Sequence, residues 1–283
     1  MRNLAVTNAT ISKVKNGLSI EKPDLLAVEE PLEIRVGFGD TLRKEKKVAV
    51  TMRTPGHDFE LALGFLFTEG LIQPKDVVSI KHCQQVKPEE EGNVVRVELK
   101  PDANIELEGL ERNFYTTSSC GVCGKASIES IHQKCAPLVS DLIIDEHIIH
   151  ASPNVLREAQ NVFEHTGGLH AVGLFDSSGK LILLREDIGR HNAFDKLVGA
   201  ALNAGIDSSE HFVLVSGRAS FELVQKSVMA GIPIMAAVGA PSSLAVDLAE
   251  KSNLTLLGFV RNNSFNVYTG AQRVQSSKLK VKS

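Results

Sequence analysis

The chain has 283 residues, a net charge of -3, 43% hydrophobic residues and 23% charged residues, which is the composition of an ordinary globular protein with one large or two small domains. A charge this close to neutral argues against a general nucleic-acid or membrane-surface binder, because such proteins carry a strong basic excess. No stretch reaches the run of about 18 apolar residues that a membrane helix needs, and the N-terminus lacks the apolar run of a signal peptide. We therefore expect a cytoplasmic protein that binds neither nucleic acid nor membrane.

The first half of the chain shows strand patterns around one helix. Residues 1–30 have no clear hydrophobic period and predict an irregular arm. From Asp58 to Phe67 the apolar side chains follow helical spacing, and Gly70 is placed to end that helix. Alternating apolar residues predict strands at 33–38, 47–53, 77–86 and 93–99. The pattern predicts a smaller, strand-rich N-terminal domain at residues 1–140.

In the second half of the chain, predicted helices alternate with predicted strands. Ser152 and Pro153 have the features of a helix start, a capping hydroxyl followed by a proline in the first turn. Residues 169–175 and 180–185 predict a β-hairpin. Helices are then predicted at 191–204, 220–230 and 242–251, and strands at 211–216, 232–238 and 254–260. This order predicts an α/β domain at residues 141–283, with a mixed sheet between two helical layers, so that the whole chain is α+β.

Two cysteines, Cys120 and Cys123, lie in a loop bracketed by glycines and hydroxyls, with a predicted helix at 125–135. A thiol just before a helix start is favoured as the thiolate, because it lies at the positive end of the helix dipole. In the reducing cytosol a Cys-x-x-Cys pair is more often catalytic or metal-binding than a structural disulfide. Redox exchange, zinc binding and sulfur transfer through a persulfide all remain open at this point.

A zinc site would need more ligands than this pair provides. His132 and Cys135 could complete a set of four with Cys120 and Cys123. Both lie on a predicted helix, however, and the chain has no second Cys-x-x-Cys. We therefore expect no structural metal, and we expect Cys83 and Cys135 to be ordinary core residues.

Polar clusters follow the predicted strands at the edge where sheets of this kind bind ligands. Arg190 and His191 precede a helix, and such a helix start can bind phosphate; a salt-bridged helix start is the plainer interpretation. The next two strands are followed by polar turns, Ser216-Gly217-Arg218 and residues 239–243. Together these turns predict a phosphate-bearing ligand of nucleotide size, although neither a P-loop nor a Gly-x-Gly-x-x-Gly motif is present.

Two further polar groups have less specific interpretations. His165 and His170 flank a pair of glycines and are candidate ligands or proton carriers, or simply the polar end of a helix. Arg261 follows the last predicted strand and could close over the same ligand, although a lone arginine there is more often a surface residue.

The motifs taken together resemble those of the FdhD family, the formate dehydrogenase accessory sulfurtransferases. The resemblance covers the chain from about residue 30 to 270. Its segments are Thr-Pro-Gly-His-Asp-Phe-Glu-Leu-Ala-Leu-Gly-Phe-Leu at 54–66, Ser-Ser-Cys-Gly-Val-Cys-Gly-Lys at 118–125, His-Thr-Gly-Gly-Leu-His at 165–170, Arg-Glu-Asp-Ile-Gly-Arg-His-Asn-Ala at 185–193, Ser-Gly-Arg-Ala-Ser at 216–220 and the ending Gly-Phe-Val-Arg…Val-Tyr-Thr.

The resemblance implies a specific function and site. A protein of this family takes persulfide sulfur from a cysteine desulfurase and passes it to the molybdenum or tungsten bis-guanine-dinucleotide pterin cofactor of formate dehydrogenase. It implies that Cys120 carries the persulfide and that Cys123 assists or relays. It also implies a cytidine deaminase-like fold without zinc, a homodimer, and a cofactor segment that a guanine nucleotide could occupy. That segment is Phe259, Val260, Arg261, Asn262, Asn263 and Ser264.

Three alternative functions remain to be distinguished. A dithiol oxidoreductase would use Cys120 and Cys123 as a reversible disulfide. A binding module stabilised by zinc would contain the metal in near-stoichiometric amount. A chaperone that only holds the cofactor would work without either cysteine.

Overall fold

The computed structural model describes residues 5–40, 42–103, 137–160, 163 and 166–276. Cys120, Cys123, the predicted helix 125–135 and His165 lie outside these described residues. The elements described in the first half are β1 (Val6–Lys15), β2 (Leu18–Ala27), β3 (Glu30–Phe38), β4 (Lys44–Arg53), α1 (Asp58–Thr68), β5 (Val77–His82) and β6 (Val94–Leu99). The four predicted strands and the helix are confirmed, and β5 ends four residues earlier than predicted.

The smaller sheet of the molecule has the strand order β4-β3-β6-β5. Along β3 the alternate side chains of Leu32, Ile34 and Val36 are buried, and they form one core cluster with Leu61 and Leu66 of α1. Every second side chain of β3 is thus buried against the apolar side chains that follow helical spacing on α1. The smaller sheet is therefore covered by α1 on this face.

The prediction of an irregular arm at residues 1–30 is wrong for residues 6–27. β1 and β2 form an antiparallel ribbon in register from Val6↔Ala27 to Lys15↔Leu18. Asn16 and Gly17 form its turn with φ angles of 53° and 77°, and Asn-Gly is the dipeptide that favours such tight hairpin turns. Most ribbon side chains are exposed, so no buried face imposes the hydrophobic alternation from which strands are predicted.

The second half contains the larger sheet. Its described elements are β7 (Ile144–Asp145), α2 (Glu146–Ala159), β8 (His170–Phe175), β9 (Leu181–Asp187), α3 (Arg190–Asn203), β10 (Phe212–Val215), α4 (Phe221–Met229), β11 (Ile234–Ala237), α5 (Ser243–Lys251), β12 (Thr255–Arg261), β13 (Ser264–Thr269) and β14 (Val274–Gln275). The hairpin and the alternating helices and strands predicted from residue 169 onward are confirmed.

The predicted helix start at Ser152 is wrong, because Ser152 and Pro153 lie inside α2. The helix begins at Glu146, where the side chain of Asp145 accepts a hydrogen bond from His147 N. Pro153 has no N–H to donate to the carbonyl of Ile149, four residues earlier. The buried hydroxyl of Ser152 donates to that carbonyl instead, at 2.8 Å. The serine therefore supplies the hydrogen bond that the proline removes, and the helix continues.

The larger sheet has the order β13-β12-β11-β10-β8-β9 and is mixed, as predicted. β10, β11 and β12 are parallel, and the remaining pairings are antiparallel. Val213 and Val215 face a core cluster with α3, α4 and α5, whereas Phe212 and Leu214 face a second cluster with α2. The sheet therefore lies between two helical layers, as the α/β prediction requires.

The two sheets are joined through helices α1 and α3. A Cβ atom added to Gly64 would lie 1.9 Å from Asp195 O, and one added to Gly199 would lie 2.0 Å from Glu60 O. Only glycine permits backbones to approach this closely. The domain division at residue 140 and the likeness to the cytidine deaminase fold stay predictions. Among the described helices, none is both long enough and apolar enough to cross a membrane.

Candidate functional site

The motif at residues 185–193 begins with an ion pair that is part of the interface between the sheets. Arg185 donates to both carboxylate oxygens of Glu60 in α1, at 2.5 and 2.8 Å. Burial opposes the ionised form of Glu60, but the hydrogen bonds from Arg185 and His57 outweigh it and hold the pKa of Glu60 at about 2. Arg185 therefore fastens α1 to the larger sheet and is not directed to the ligand edge.

Asp187 continues the same interface. Its carboxylate, fully buried, lies 2.7 Å from Lys196 Nζ and accepts from Thr54 N at 3.1 Å. It also accepts from Gly189 N at 2.8 Å and Asn192 Nδ2 at 3.2 Å. A buried carboxylate is tolerated when donors of this kind satisfy its oxygens. Half of the charged motif thus holds the Thr54 loop against the start of α3.

The polar ends of six strands meet at one edge of the larger sheet. Because β9, β10, β11 and β12 run in the same direction, their carboxyl ends share this edge with the first residues of β8 and β13. The predicted site residues of the second half all follow or end these strands. The tertiary structure therefore brings them to one edge, as expected for the ligand side of such a sheet.

His191 lies between the starts of two helices at this edge. Its Nε2 atom is 3.2 Å from Ser220 Oγ, the residue before α4, and 3.8 Å from Glu222 Oε2. The hydrogen-bonding contact with His191 outweighs burial and holds the pKa of Glu222 at about 2. Glu222 therefore remains a carboxylate at neutral pH and partly compensates the positive groups of the edge.

Arg190 opens α3, whose N-cap, Gly189, provides no side-chain acceptor for the first N–H groups of the helix. The Nε atom of Arg190 is buried and has no hydrogen-bond partner among the described residues. A helix start with unsatisfied donors and a positive dipole end favours an anion. This end of α3 is therefore suited to bind a phosphate.

The loops after β10 and β11 are hydrogen-bonded to each other. Gly239 N donates to Gly217 O at 2.8 Å, and a Cβ on Gly239 would lie 2.9 Å from Arg218 N. Ser216 is fixed in place, because its Oγ accepts from Ala171 N at 2.9 Å. The side chain of Arg218 is exposed. Gly217 and Arg218 are thus held next to the start of β8, with a cation at the surface.

The predicted cofactor segment continues this edge. Phe259 N donates to Gly239 O at 3.1 Å, and Phe259 has a φ of 54° in an irregular part of β12. A bulky residue in this left-handed region is strained and commonly marks a functional position. Phe259 is 42% exposed. A strained aromatic residue is therefore accessible at this edge of the sheet.

The other residues of the segment differ in how far they are available to a ligand. Val260 is buried in the core. Arg261 donates to Val238 O at 2.6 Å and Val260 O at 2.9 Å, so its guanidinium is partly engaged in holding the hairpin. Asn262 and Asn263 form the turn between β12 and β13, and both are exposed, as are Arg261 and Ser264 at the two strand ends. All of the segment except Val260 is therefore at least partly accessible.

The cysteine half of the predicted site cannot be related to this edge, since Cys120 and Cys123 are outside the described residues. The expectation that Cys83 is a core residue is wrong, because Cys83 is only half-buried next to β5 and belongs to none of the core clusters; burial raises the pKa of its thiol. A thiol of this kind is poorly nucleophilic. Within the described part of the chain, no group of three His, Cys, Asp or Glu side chains is arranged for a metal ion.

The model of the FdhD/NarQ family matches residues 27–275 of the chain. The chain belongs to the FdhD/NarQ family. It is 49% identical over 271 residues to the sulfur carrier protein FdhD of Streptomyces coelicolor, covering 93% of this chain and 94% of the relative. It is 50% identical over 272 residues to that of Mycolicibacterium paratuberculosis, covering 93% and 97%. The family resemblance expected from the sequence motifs is confirmed.

More distant FdhD relatives also match this chain over nearly its whole length. The chain is 41% identical to the sulfur carrier protein FdhD of Thermoplasma volcanium, covering 96% of this chain and 97% of the relative. A crystal structure of a candidate formate dehydrogenase accessory protein from Desulfotalea psychrophila superposes with a TM-score of 0.75 at 25% identity, covering 96% of this chain and all of that one. The mixed α+β architecture is thus that of an FdhD-type accessory protein.

Two residues of the ligand edge were not among the predicted site residues. Glu222 is two residues after Ser220, and its role depends on His191, which comes from a different helix. The sequence indicates His170 only as a candidate ligand or proton carrier, or as the polar end of a helix. Its place beside Gly217 depends on the pairing of β8 with β10 and was not visible from local spacing.

Proposed function

We propose that this chain is a sulfur carrier that serves formate dehydrogenase. It takes persulfide sulfur from a cysteine desulfurase and transfers it to the molybdenum or tungsten bis-guanine-dinucleotide pterin cofactor before the cofactor is inserted. The observation that carries the proposal is the match to relatives named sulfur carrier protein FdhD over more than nine tenths of the chain at about half identity. The dithiol oxidoreductase alternative finds no support in these relatives.

The first step is transfer of the sulfur to Cys120. The Cys120 thiolate attacks the outer sulfur of the donor's persulfide, forming one S–S bond while the donor's own S–S bond breaks. The donor leaves as a cysteine thiolate, and Cys120 becomes the persulfide. Such exchange depends on thiolate fraction and access, which the flanking glycines Gly121 and Gly124 and the helix start predicted from the sequence after them would favour.

The second step releases the sulfur at the cofactor. The Cys123 thiolate attacks the inner sulfur of the Cys120 persulfide, so that a Cys120–Cys123 disulfide forms and hydrosulfide leaves. Cys123 is oxidised and the outer sulfur is reduced in this step, and a low-molecular-weight thiol then returns the disulfide to the dithiol. The cofactor, as the substrate, would receive this hydrosulfide as the sulfur ligand of its metal. This step gives Cys123 the assisting role, one of the two roles, assisting or relaying, that the family resemblance implies.

The carboxyl edge of the larger sheet is the proposed cofactor site. The start of α3 with Arg190 and His191 would contact phosphate, and the exposed ring of Phe259 would contact a guanine base. A charged donor such as Arg190 contributes about 1.5–3 kcal/mol to a hydrogen bond with an anion. The further members of the proposed site are Ser216, Gly217, Arg218, Val260, Arg261, Asn262, Asn263 and Ser264. We further propose that the protein is a cytoplasmic homodimer.

The sulfur-carrying step is tested by intact-protein mass spectrometry after incubation with a cysteine desulfurase and cysteine. We expect a mass gain of one sulfur atom that a thiol reductant removes. The gain should be lost in Cys120→Ala and kept in the control Cys83→Ala. In Cys123→Ala the persulfide should form and accumulate, because no neighbouring thiolate releases it.

Each competing function gives a different result in this assay. A Cys120→Ala protein that gains the sulfur and supports formate dehydrogenase would contradict the carrier role of Cys120. Full activity of a Cys120→Ala, Cys123→Ala double variant would indicate a cofactor chaperone. Near-stoichiometric zinc in the purified protein would favour the zinc module.

A guanosine diphosphate titration tests the cofactor edge separately. Arg190→Gln should weaken binding by at least about 10-fold, given the strength of a charge-assisted hydrogen bond. Arg157→Gln removes an equal charge from the exposed side of α2 and should leave binding unchanged. Equal binding by both variants would exclude Arg190 from the phosphate site.

A further inference from the structure

His170 is a polar side chain at the ligand edge to which the proposed function assigns no role. We propose that His170 contacts the pyrophosphate of the bound guanine-dinucleotide cofactor and takes up a proton when the pyrophosphate binds. The inference rests on the proposed function, because it concerns the ligand of the same edge. It adds a coupling between proton uptake and cofactor binding.

The position of His170 follows from the strand register. His170 is the first residue of β8 and pairs with Asp187 at the end of β9. Two and four residues further along the same face, Val172 and Leu174 pack in the core cluster below α3. Side chains of a strand alternate between its faces, so His170 projects on the side of the sheet where α3 begins.

Gly217 provides the space that the imidazole occupies. A Cβ atom added to Gly217 would lie 3.4 Å from His170 Nδ1 and 3.6 Å from its Cε1 atom. The ring therefore lies against the bare backbone of the loop after β10. That loop is hydrogen-bonded through Gly217 O to Gly239 N. The imidazole thus lies against the loop after β10, at the edge where the phosphate is proposed to bind.

The charges around His170 are not balanced. Asp187 on β9 is the carboxylate whose charge favours protonation of His170, but this charge is already compensated by Lys196 Nζ at 2.7 Å. On α3, Arg190 carries a buried Nε with no partner among the described residues, and His191 is directed to Ser220 and Glu222 of the α4 start. The loop after β10 adds the exposed Arg218.

Burial and the surrounding charges determine the protonation state of His170 in the free protein. Burial, followed by the charges of Arg190 and His191, lowers the pKa of His170, and Asp187 only partly opposes them. His170 is therefore neutral at neutral pH when the edge holds no anion. A pyrophosphate that pairs with Arg190 removes the unbalanced positive charge and adds a negative one, which raises the pKa of His170.

The higher pKa of His170 in the complex determines how the affinity for the ligand changes with pH. The ligand binds more tightly to the protonated form, so its affinity rises as the pH falls through the pKa of the complex toward the lower pKa of the free protein. Below the pKa of the free protein the affinity levels off, because His170 is then charged before binding. Release of the cofactor is correspondingly favoured by proton loss.

The test is isothermal titration calorimetry with GDP-mannose. Both phosphates of this probe are esterified, as in the pyrophosphate of a guanine dinucleotide, so the probe itself does not titrate near neutral pH. Titrations are run at pH 7 in PIPES and in imidazole, whose ionisation enthalpies differ. The difference in apparent binding enthalpy gives the number of protons taken up. We expect net uptake for the wild-type protein and its loss in His170→Asn.

His147→Asn is the matched control, because His147 is exposed at the start of α2. It should take up protons as the wild-type protein does. His170→Asn should still bind GDP-mannose, several-fold more weakly, and a thermal unfolding curve checks that it is folded. His170→Lys should restore the affinity without proton uptake, because lysine is already charged before the ligand binds. A purely structural role of the imidazole does not predict this result.

The outcomes separate the inference from the function on which it rests. Wild-type binding without proton uptake, or unchanged uptake in His170→Asn, overturns the role of His170 and leaves the cofactor edge in place. No binding of GDP-mannose by the wild-type protein overturns both. The persulfide assay on Cys120 is independent of the probe and tests the sulfur-carrier role in either case.

Discussion

Two polar regions adjoin each other where β9 leads into α3, and they use charge in opposite ways. At the interface with α1, Asp187 and Lys196 are 0% and 1% exposed, and the carboxylate also accepts three nitrogen donors. At the ligand edge, Arg190 and His191 are only partly buried, and Arg190 Nε has no partner among the described residues. Density of charge in a motif is therefore no guide to its role.

The two regions differ in how many of their polar groups already have hydrogen-bond or ion-pair partners. Buried ions are tolerated only when their partners are complete, so the interface has no capacity left for a ligand. The edge retains a helix start without a side-chain cap and a guanidinium nitrogen that no described residue pairs with, and an anion would satisfy both. Completeness of pairing thus separates the part that holds the sheets together from the part that is proposed to bind.

Loss of the buried pair should have the largest effect on stability. Lys196→Met leaves the Asp187 carboxylate buried without its cation, which costs about 3–5 kcal/mol. Urea unfolding followed by circular dichroism measures the change in the free energy of unfolding. Lys180→Met, in an exposed turn, is the control and should change it by less than about 0.5 kcal/mol. A cost below about 1 kcal/mol for Lys196→Met would mean that the pair does not hold the interface.

A smaller loss of stability is expected when the helices are forced apart. In Gly199→Ala the added Cβ meets the backbone oxygen of Glu60 at 2.0 Å, so α1 has to move. Overpacking of this kind costs about 1–3 kcal/mol. Gly168→Ala is the matched control, since its nearest neighbour would be 3.6 Å away. Thermal unfolding of the two variants should differ, and equal midpoints would show that the helix contact adapts without cost.

The smallest effect is expected at the edge, where the charges are partly solvated. The folded-state pKa of Glu222 is about 2, below the value near 4.3 of an unfolded glutamate. Its stabilising contribution is therefore present above about pH 4.3 and is lost as the pH falls toward 2. Glu222→Gln should remove this part of the acid sensitivity, which amounts to less than about 1 kcal/mol.

Glu60 provides the comparison from the interface. Its pKa is also about 2, but Arg185 binds both carboxylate oxygens. We expect Glu60→Gln to lower the free energy of unfolding at neutral pH more than Glu222→Gln does, because one of the two hydrogen bonds from Arg185 is lost and the other loses its charged acceptor. Urea midpoints measured from pH 7 to pH 2 test both variants. A larger loss for Glu222→Gln would reverse the assignment of interface and edge.

The sequence was sufficient for most elements and for the family. Clear periodicity of the apolar residues predicted the helix at 58–67 and the alternating helices and strands after residue 190. The local signals failed at Ser152 and Pro153, where a side-chain hydroxyl replaces the missing backbone donor within the helix. They also failed for the ribbon at residues 6–27, where no buried face imposes a pattern and only Asn16-Gly17 marks the turn.

What the sequence determined by itself is the order of the strands and helices, the polar turns that follow the strands, and membership of the FdhD/NarQ family through its motifs. The tertiary structure alone decided which residues of one charged motif face inward. Asp187, Asn192 and Lys196 are turned toward α1 and the Thr54 loop, whereas Arg190 and His191 remain at the sheet edge. Burial depends on what packs against a helix start, and the packing partners come from residues more than a hundred positions earlier. That separation is why local sequence does not reveal it.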